Sequence, residues 1–229
     1  MQRKGVLQAI FLGRGRPVLL LLFCISLLVV ACLLAGTVLS GRPERVCRQV
    51  RWVNDGDTIV LMDGSKVRYL GIDAPEVAHG DQPAELYGNT ARSFNRRLVR
   101  NHKVWLEFDR ERRDHYGRLL AYVFLADGTF VNGELVRRGY AHLFRGQPDL
   151  RYWDRLLDFQ RKALQEHKGI WSLPVKNPES YYLGNSKSWI FHRPDCPFGK
   201  KTARRNRMRF KDRFHAFYEG FSPCRRCRP

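Results

Sequence analysis

Two short stretches concentrate the chemistry of this 229-residue chain: Asn54-Asp55-Gly56-Asp57-Thr58, and then Arg68-Tyr69-Leu70-Gly71-Ile72-Asp73-Ala74-Pro75-Glu76. Carboxylates that converge repel one another, so a group of them needs a positive centre such as a hard, oxygen-loving ion. Arg68 cannot ligate that ion. It can grip an anion held beside it, because its planar fork matches two phosphate oxygens and stays charged at any working pH. Taken one at a time, Asp55-Gly56-Asp57 reads as a turn, Arg68 as a solvated strand-edge charge and Glu76 as a residue near a helix start. Their conjunction points to chemistry on a phosphate.

A second set lies near the C-terminus. His192-Arg193-Pro194-Asp195-Cys196 and Cys224-Arg225-Arg226-Cys227 give a His-x3-Cys pair and a Cys-x2-Cys pair. These spacings let four soft or borderline ligands converge tetrahedrally on Zn²⁺, and a closed four-ligand shell leaves no position for water, so the expected role is structural. Three grouped cysteines leave one over from any disulfide, which favours a metal; free or oxidised cysteines beside an ordinary His192 are the alternative. Between the pairs run Lys200, Lys201, Arg204, Arg205, Arg207, Arg209, Lys211 and Arg213, interleaved with Phe210, Phe214 and Phe217. Cations that neutralise phosphates and aromatics that stack on bases make this an expected nucleic-acid clamp. The competing reading puts the phenylalanines in a small core.

The elements that must position these residues begin with strands. Residues 50–52, 58–62 and 66–72 are short and rich in β-formers, and Asp63-Gly64 signals a tight hairpin. Tyr87, Ala91, Phe94 and Leu98 share one helical face, residues 104–108 and 119–125 return to strand, and Asn132 is placed to cap a short helix ending at Gly139. A last helix is expected from about Asp149 to Gly169, with Leu150, Trp153, Leu157 and Leu164 inward. The fold class is therefore α+β, mainly β: a five-stranded Greek-key barrel of the oligonucleotide-binding (OB) type with three helices. Residues 173–179, bracketed by prolines, read as a linker. The remaining stretch, 180–229, is too short for a comfortable core without a metal or disulfide.

At the other end, residues 18–39 carry no charge and follow Arg3, Lys4, Arg14 and Arg16. That is long enough to cross a bilayer, with the basic flank kept in the cytoplasm and the rest of the chain outside. The segment 1–40 is thus expected to be a basic tail and a single transmembrane helix; a signal peptide cut near Ser40 is the alternative. With 41 Lys+Arg against 22 Asp+Glu, a net charge of +19, the partner is a polyanion: nucleic acid first, an anionic membrane surface second.

The two opening stretches, followed by Asp114-His115-Tyr116-Gly117-Arg118-Leu119-Leu120-Ala121-Tyr122, resemble the thermonuclease (staphylococcal-nuclease-like) family. The resemblance runs over residues 46–172, through Leu135-Val136-Arg137-Arg138-Gly139-Tyr140-Ala141 to Lys168-Gly169-Ile170-Trp171-Ser172. It implies an OB-type nuclease domain in which Asp57, Asp73 and the Ala74 backbone carbonyl hold a catalytic Ca²⁺, with Asp55 just behind them. It implies further that Arg68 and Arg118 are the catalytic arginines, that Glu76 orients or deprotonates water, and that Tyr116 and His115 contact substrate. The reaction so implied cuts the P–O5′ bond of DNA or RNA and leaves a 3′-phosphate. Residues 180–229 resemble the small zinc domain of the bacterial Ada DNA-repair protein, with His192 in place of one of its four cysteines. The reading is an exported, membrane-anchored, Ca²⁺-dependent nuclease whose barrel works without its tail. A barrel that binds nucleic acid without cutting is the alternative, and no protein partner is inferred.

Overall fold

The computed structural model describes residues 44–146 and 149–229, together with Ile25. The apolar segment 18–39 otherwise lies outside them, so the expected transmembrane helix does too. Among the described residues no helix is long and apolar enough to cross a membrane.

Five strands close into a barrel in the order β1-β2-β3-β6-β5: β1 Arg45–Val53, β2 Thr58–Leu61, β3 Lys66–Tyr69, β5 Lys103–Glu107 and β6 Leu119–Phe124. Only β3 and β6 run parallel. Closure depends on β1 serving two neighbours: Arg45 to Gln49 pair with β5, and Val50 to Val53 pair with β2 across an irregularity between Val50 and Trp52. An irregularity of this kind bends a strand and increases its twist, which lets one strand serve both halves of a barrel. The first half of β1 was not expected, because its side chains point mostly to solvent and only Val50 and Val53 of the whole strand are buried. Between β2 and β3 the expected hairpin forms. Gly64 turns at φ 83°, Ser65 N–H donates to Asp63 Oδ1 at 2.8 Å, and Gly64 N–H donates to Leu61 O at 3.0 Å.

The strand expected over residues 66–72 breaks after Tyr69. A short β4, Ile72–Asp73, instead pairs with β7, His142–Leu143, outside the barrel. Three helices pack around the barrel: α1 Gly88–Val99, α2 Val131–Arg137 and α3 Trp153–Gln165. Asn132 does not cap α2, whose N-cap is Phe130. It is fully buried; its amide oxygen accepts from Val123 N–H and its amide nitrogen donates to Leu70 O, each at 2.9 Å. Helix α3 is shorter than expected, starting four residues after a left-handed Asp149. Leu156 is fully buried there, while Leu157 is only half-buried.

The C-terminal stretch forms a four-stranded sheet in the order β10-β8-β9-β11, from Tyr182–Asn185 (β8), Ile190–His192 (β9), Arg207–Phe210 (β10) and Ser222–Pro223 (β11). It does not stand alone. Its core of Tyr182, Phe191, Phe210, Phe217 and Phe221 is shared with Ala163 and Leu164 of α3 and with Trp171. Gln160 of α3 is fully buried between the two parts: its Oε1 accepts from Leu143 N–H at 2.7 Å and its Nε2 donates to Phe217 O at 2.5 Å. Ser222 Oγ adds a bond to Leu143 O at 2.9 Å. The C-terminal stretch thus covers Trp171, Ala163 and Leu164 of the barrel domain. Gln160→Leu keeps roughly the same volume but orphans the buried Leu143 N–H, at a cost of about 1–3 kcal/mol, while Phe217 O keeps its bond from Gly220 N–H at 2.9 Å. Urea titration should show that loss; an unchanged midpoint would mean that the two parts are not held through Gln160.

Candidate active site and metal centre

The loop between β1 and β2 presents the first carboxylates. Asp55 shapes it, accepting from Asp57 N–H at 3.0 Å through Oδ1 and from Asn54 Nδ2 at 2.9 Å through Oδ2. Both of its oxygens are thus engaged within the loop. A Cβ on Gly56 would stand 2.5 Å from Ala74 Cβ and 2.8 Å from Ala91 Cβ, so the absence of a side chain lets this loop press against both the Asp73 loop and α1. From α1 the fully buried Asn95 donates to Asp55 O at 3.2 Å and accepts from Tyr69 OH at 2.9 Å. One side chain thereby ties the Asp55 loop to the residue next to Arg68.

Arg68 is the centre of the group. Its Nη1 lies 2.5 Å from Asp57 Oδ2 and its Nη2 lies 2.5 Å from Asp73 Oδ1, with all three side chains nearly buried. Ala74 N–H donates to Asp57 Oδ2 at 2.6 Å, and Thr58 Oγ1 to Asp57 Oδ1 at 3.1 Å. Burial pushes the Asp57 carboxyl well above the usual range; Arg68 opposes this, and the charges of Asp55 and Asp73 add to it. Burial would also raise Asp73, but Arg68, His142 and Arg225 together hold it below the usual range. Glu76 sits at the solvent-facing rim. Desolvation, followed by the charges of Asp55 and Asp73, raises its carboxyl. Arg68 is desolvated too, yet Asp57, Asp73, Asp55 and Glu76 all hold it more firmly protonated.

These six residues, Asp55, Asp57, Arg68, Asp73, Ala74 and Glu76, come together as the spacing suggests. Arg118, Tyr116 and His115 form a neighbouring group on the loop that leads into β6. Asp114 Oδ2 accepts from Arg118 Nε at 2.7 Å, and Asp114 Oδ1 accepts from Arg118 N–H at 2.9 Å. The Arg118 guanidinium lies 5.5 Å from the Tyr116 ring, whose side chain is 73 % exposed beside His115. Two residues near Asp73 were not anticipated. His142 faces it across the β4–β7 pair; burial lowers its proton affinity, and the charge of Asp73 opposes that. Arg225 Nη2 reaches it from the C-terminal sheet at 3.0 Å. Nothing local in the sequence marks either, apart from the basic pair between Cys224 and Cys227.

The oxygen set suits a hard cation. It is acidic overall and nearly dry around Asp57, with four carboxylates against the guanidinia of Arg68 and Arg225. The second set suits a softer one. The ligand atoms of His192, Cys196, Cys224 and Cys227 all lie within 4.8 Å of one another, the first three residues being buried. Burial lowers the proton affinity of His192. Burial, then the neighbouring sulfurs, push the Cys227 thiol up to about 12, so these thiols cannot all ionise without a positive centre. No disulfide joins them. The clamp reading changes here. Phe210 and Phe217 are buried in the shared core and cannot stack on bases, whereas Lys200, Lys201, Arg204, Arg205, Arg207, Arg209 and Lys211 remain exposed.

The family pattern described as Staphylococcal nuclease homologue matches residues 66–173, and the one described as Metal binding domain of Ada matches residues 176–229. A thermonuclease of Staphylococcus hyicus is 38% identical over 137 residues, covering 58% of this chain and 80% of the relative. A thermonuclease of Staphylococcus intermedius is 38% identical over 125 residues, covering 53% and 74%. Endonuclease YncB of Bacillus subtilis is 41% identical over 123 residues, covering 52% of this chain and 58% of its own length. With the closed barrel and its carboxylate–arginine group, these matches place the chain in the staphylococcal nuclease homologue family, carrying in addition an Ada-type metal-binding domain.

Proposed function

We propose that this protein is a Ca²⁺-dependent nuclease that hydrolyses phosphodiester bonds of DNA and RNA to 3′-phosphate products, and that residues 18–39 anchor it with the nuclease domain outside the cytoplasm. The observation that carries the catalytic reading is the Arg68 fork spanning Asp57 and Asp73, with Glu76 in the field of the same carboxylates. The named activities of the thermonuclease and endonuclease relatives support it. Asp57, Asp73 and the Ala74 carbonyl would hold Ca²⁺, which when bound polarises a phosphoryl oxygen. Arg68, whose fork spans Asp57 and Asp73 here, would turn to that phosphate once a cation takes up those carboxylates. Glu76, with its raised proton affinity, orients the attacking water or takes its proton. Arg118 is held through Nε by Asp114, which leaves its other nitrogens to stabilise charge on the leaving oxygen.

Zn²⁺ held by His192, Cys196, Cys224 and Cys227 would be a scaffold, because four protein ligands leave no site for water. The exposed cations of this part add phosphate contacts outside the reacting centre. The net charge of +19 agrees with a nucleic-acid substrate.

Purified protein should degrade single-stranded DNA and RNA, stop in a Ca²⁺ chelator, and slow by about 10²-fold or more in Glu76→Gln and in Arg118→Ala, since each removes a group that acts in the transition state. Near-normal rates in both variants would sink the assignment of roles. Metal analysis should find about one zinc per chain, as a single four-ligand set holds one ion, and Cys224→Ser should lose it; a metal-free protein with Cys196 in a disulfide would refute the scaffold. The full-length chain should pellet with membranes and resist high-salt extraction, because salt screens charge but not hydrocarbon burial. A soluble mature chain beginning near Ser40 would replace the anchor with a cleaved signal.

A further inference from the structure

The turn carrying the last two metal ligands extends into the carboxylate site. Arg225 stands between Cys224 and Cys227, and its Nη2 donates to both oxygens of Asp73, at 3.0 and 3.1 Å. Asp73 Oδ1 therefore receives two guanidinia, since Arg68 Nη2 is already 2.5 Å away. Stability does not explain the second. The Arg225 side chain is 71 % exposed against 15 % for Asp73, and an ion pair with one partner in solvent contributes little. Among the described residues, its Nε and Nη1 donate to no protein acceptor. Phe144 lies 5.4 Å from the guanidinium, so the fork rests against a ring while its unused edges face water at the mouth of the site. If Arg225 turned away, Asp73 would keep its bond to Arg68, so no buried charge would be orphaned.

We propose that Arg225 is a substrate-gripping arginine that the metal-binding domain supplies to the nuclease site, exchanging Asp73 for a phosphate oxygen of the bound strand. This rests on the nuclease reading above. It gives the second domain a part in the reaction's substrate binding beyond diffuse attraction. Cys224 and Cys227 bracket Arg225, so a metal held by them would fix the point from which the side chain reaches. The arginine is solvent-borne and its removal leaves the cores untouched.

The test uses the full chain, in wild-type, Arg225→Ala and Arg225→Lys forms, with a short single-stranded oligonucleotide. Arg225→Ala should raise KM about tenfold, the scale of one lost charge-assisted contact, with a smaller change in kcat. Oligonucleotide binding, measured in a Glu76→Gln background to prevent cleavage, should weaken likewise. Its logarithmic salt slope should fall by about 0.7, the value of one phosphate on a single strand. Arg225→Lys should restore the slope but only part of the affinity, since an ammonium lacks the fork. Unchanged KM and salt slope would overturn the proposal, as would tighter Ca²⁺ binding at unchanged KM, which would make Arg225 only a counter-charge for Asp73. A wild-type protein that does not cut would strike the nuclease reading alone, because the binding measurements still decide for or against Arg225.

Discussion

One guanidinium shared by two nearly buried carboxylates constrains the rest of this molecule. Charges taken out of water incur several kcal/mol each unless geometry and hydrogen bonds compensate, and removing one partner of such a group typically costs about 3–5 kcal/mol. Arg68 meets Asp57 on one side and Asp73 on the other, so the loop after β1, the strand β3 and the β4–β7 pair must all be held in one relation. Asn95 holds the first two through Asp55 O and Tyr69 OH. Gly56 allows the loops to touch. Asn132 fixes the bend after Tyr69 by bonding Leu70 O. These buried amides are positioning residues: none faces solvent, and each satisfies backbone or hydroxyl groups that the irregular loops would otherwise leave unpaired.

The C-terminal sheet is joined to this arrangement through buried contacts rather than by its linker. Trp171, at the end of the barrel domain, packs edge-on against Phe217 with ring centroids 4.8 Å apart. Gln160 and Ser222 both bond β7, the strand paired with Asp73. A stretch so short buries too little apolar surface to fold comfortably alone. Here it takes part of its core from α3 and, with a metal in the His192 and cysteine set, a covalently linked corner as well. The consequence is mechanical. A domain fastened on both sides of β7 can hold Arg225 over Asp73, where a flexibly tethered one could not.

The two candidate metal sites divide by donor chemistry. Imidazole and thiols, closed within 4.8 Å, suit a borderline-soft ion with no free position. Carboxylates and a carbonyl at the rim of a barrel suit a hard ion that keeps water and substrate oxygens in its shell. Each set would hold the other's ion poorly, so one chain can carry both.

The β2–β3 hairpin was legible from local pattern, because strand alternation and Asp63-Gly64 turn chemistry act over a few residues. The helical face of α1 was legible for the same reason, through the spacing of Ala91, Phe94 and Leu98. The residue types of both ligand sets were on display as well, since chemistry demands Asp, Arg, His and Cys whatever surrounds them. The sequence did not reveal the first half of β1, whose exposed side chains carry no apolar period, or the burial of Asn132, which reads locally as a cap. It did not reveal the fate of Phe210 and Phe217 either. An aromatic among cations can stack on a base or fill a core, and only the packing of α3 against the C-terminal sheet chose the core. Nor did it bring Arg225 to Asp73, because that contact joins residues 152 positions apart. Spacing along a chain specifies which groups are available; closure of the barrel and docking of the second sheet decide which of them share a site.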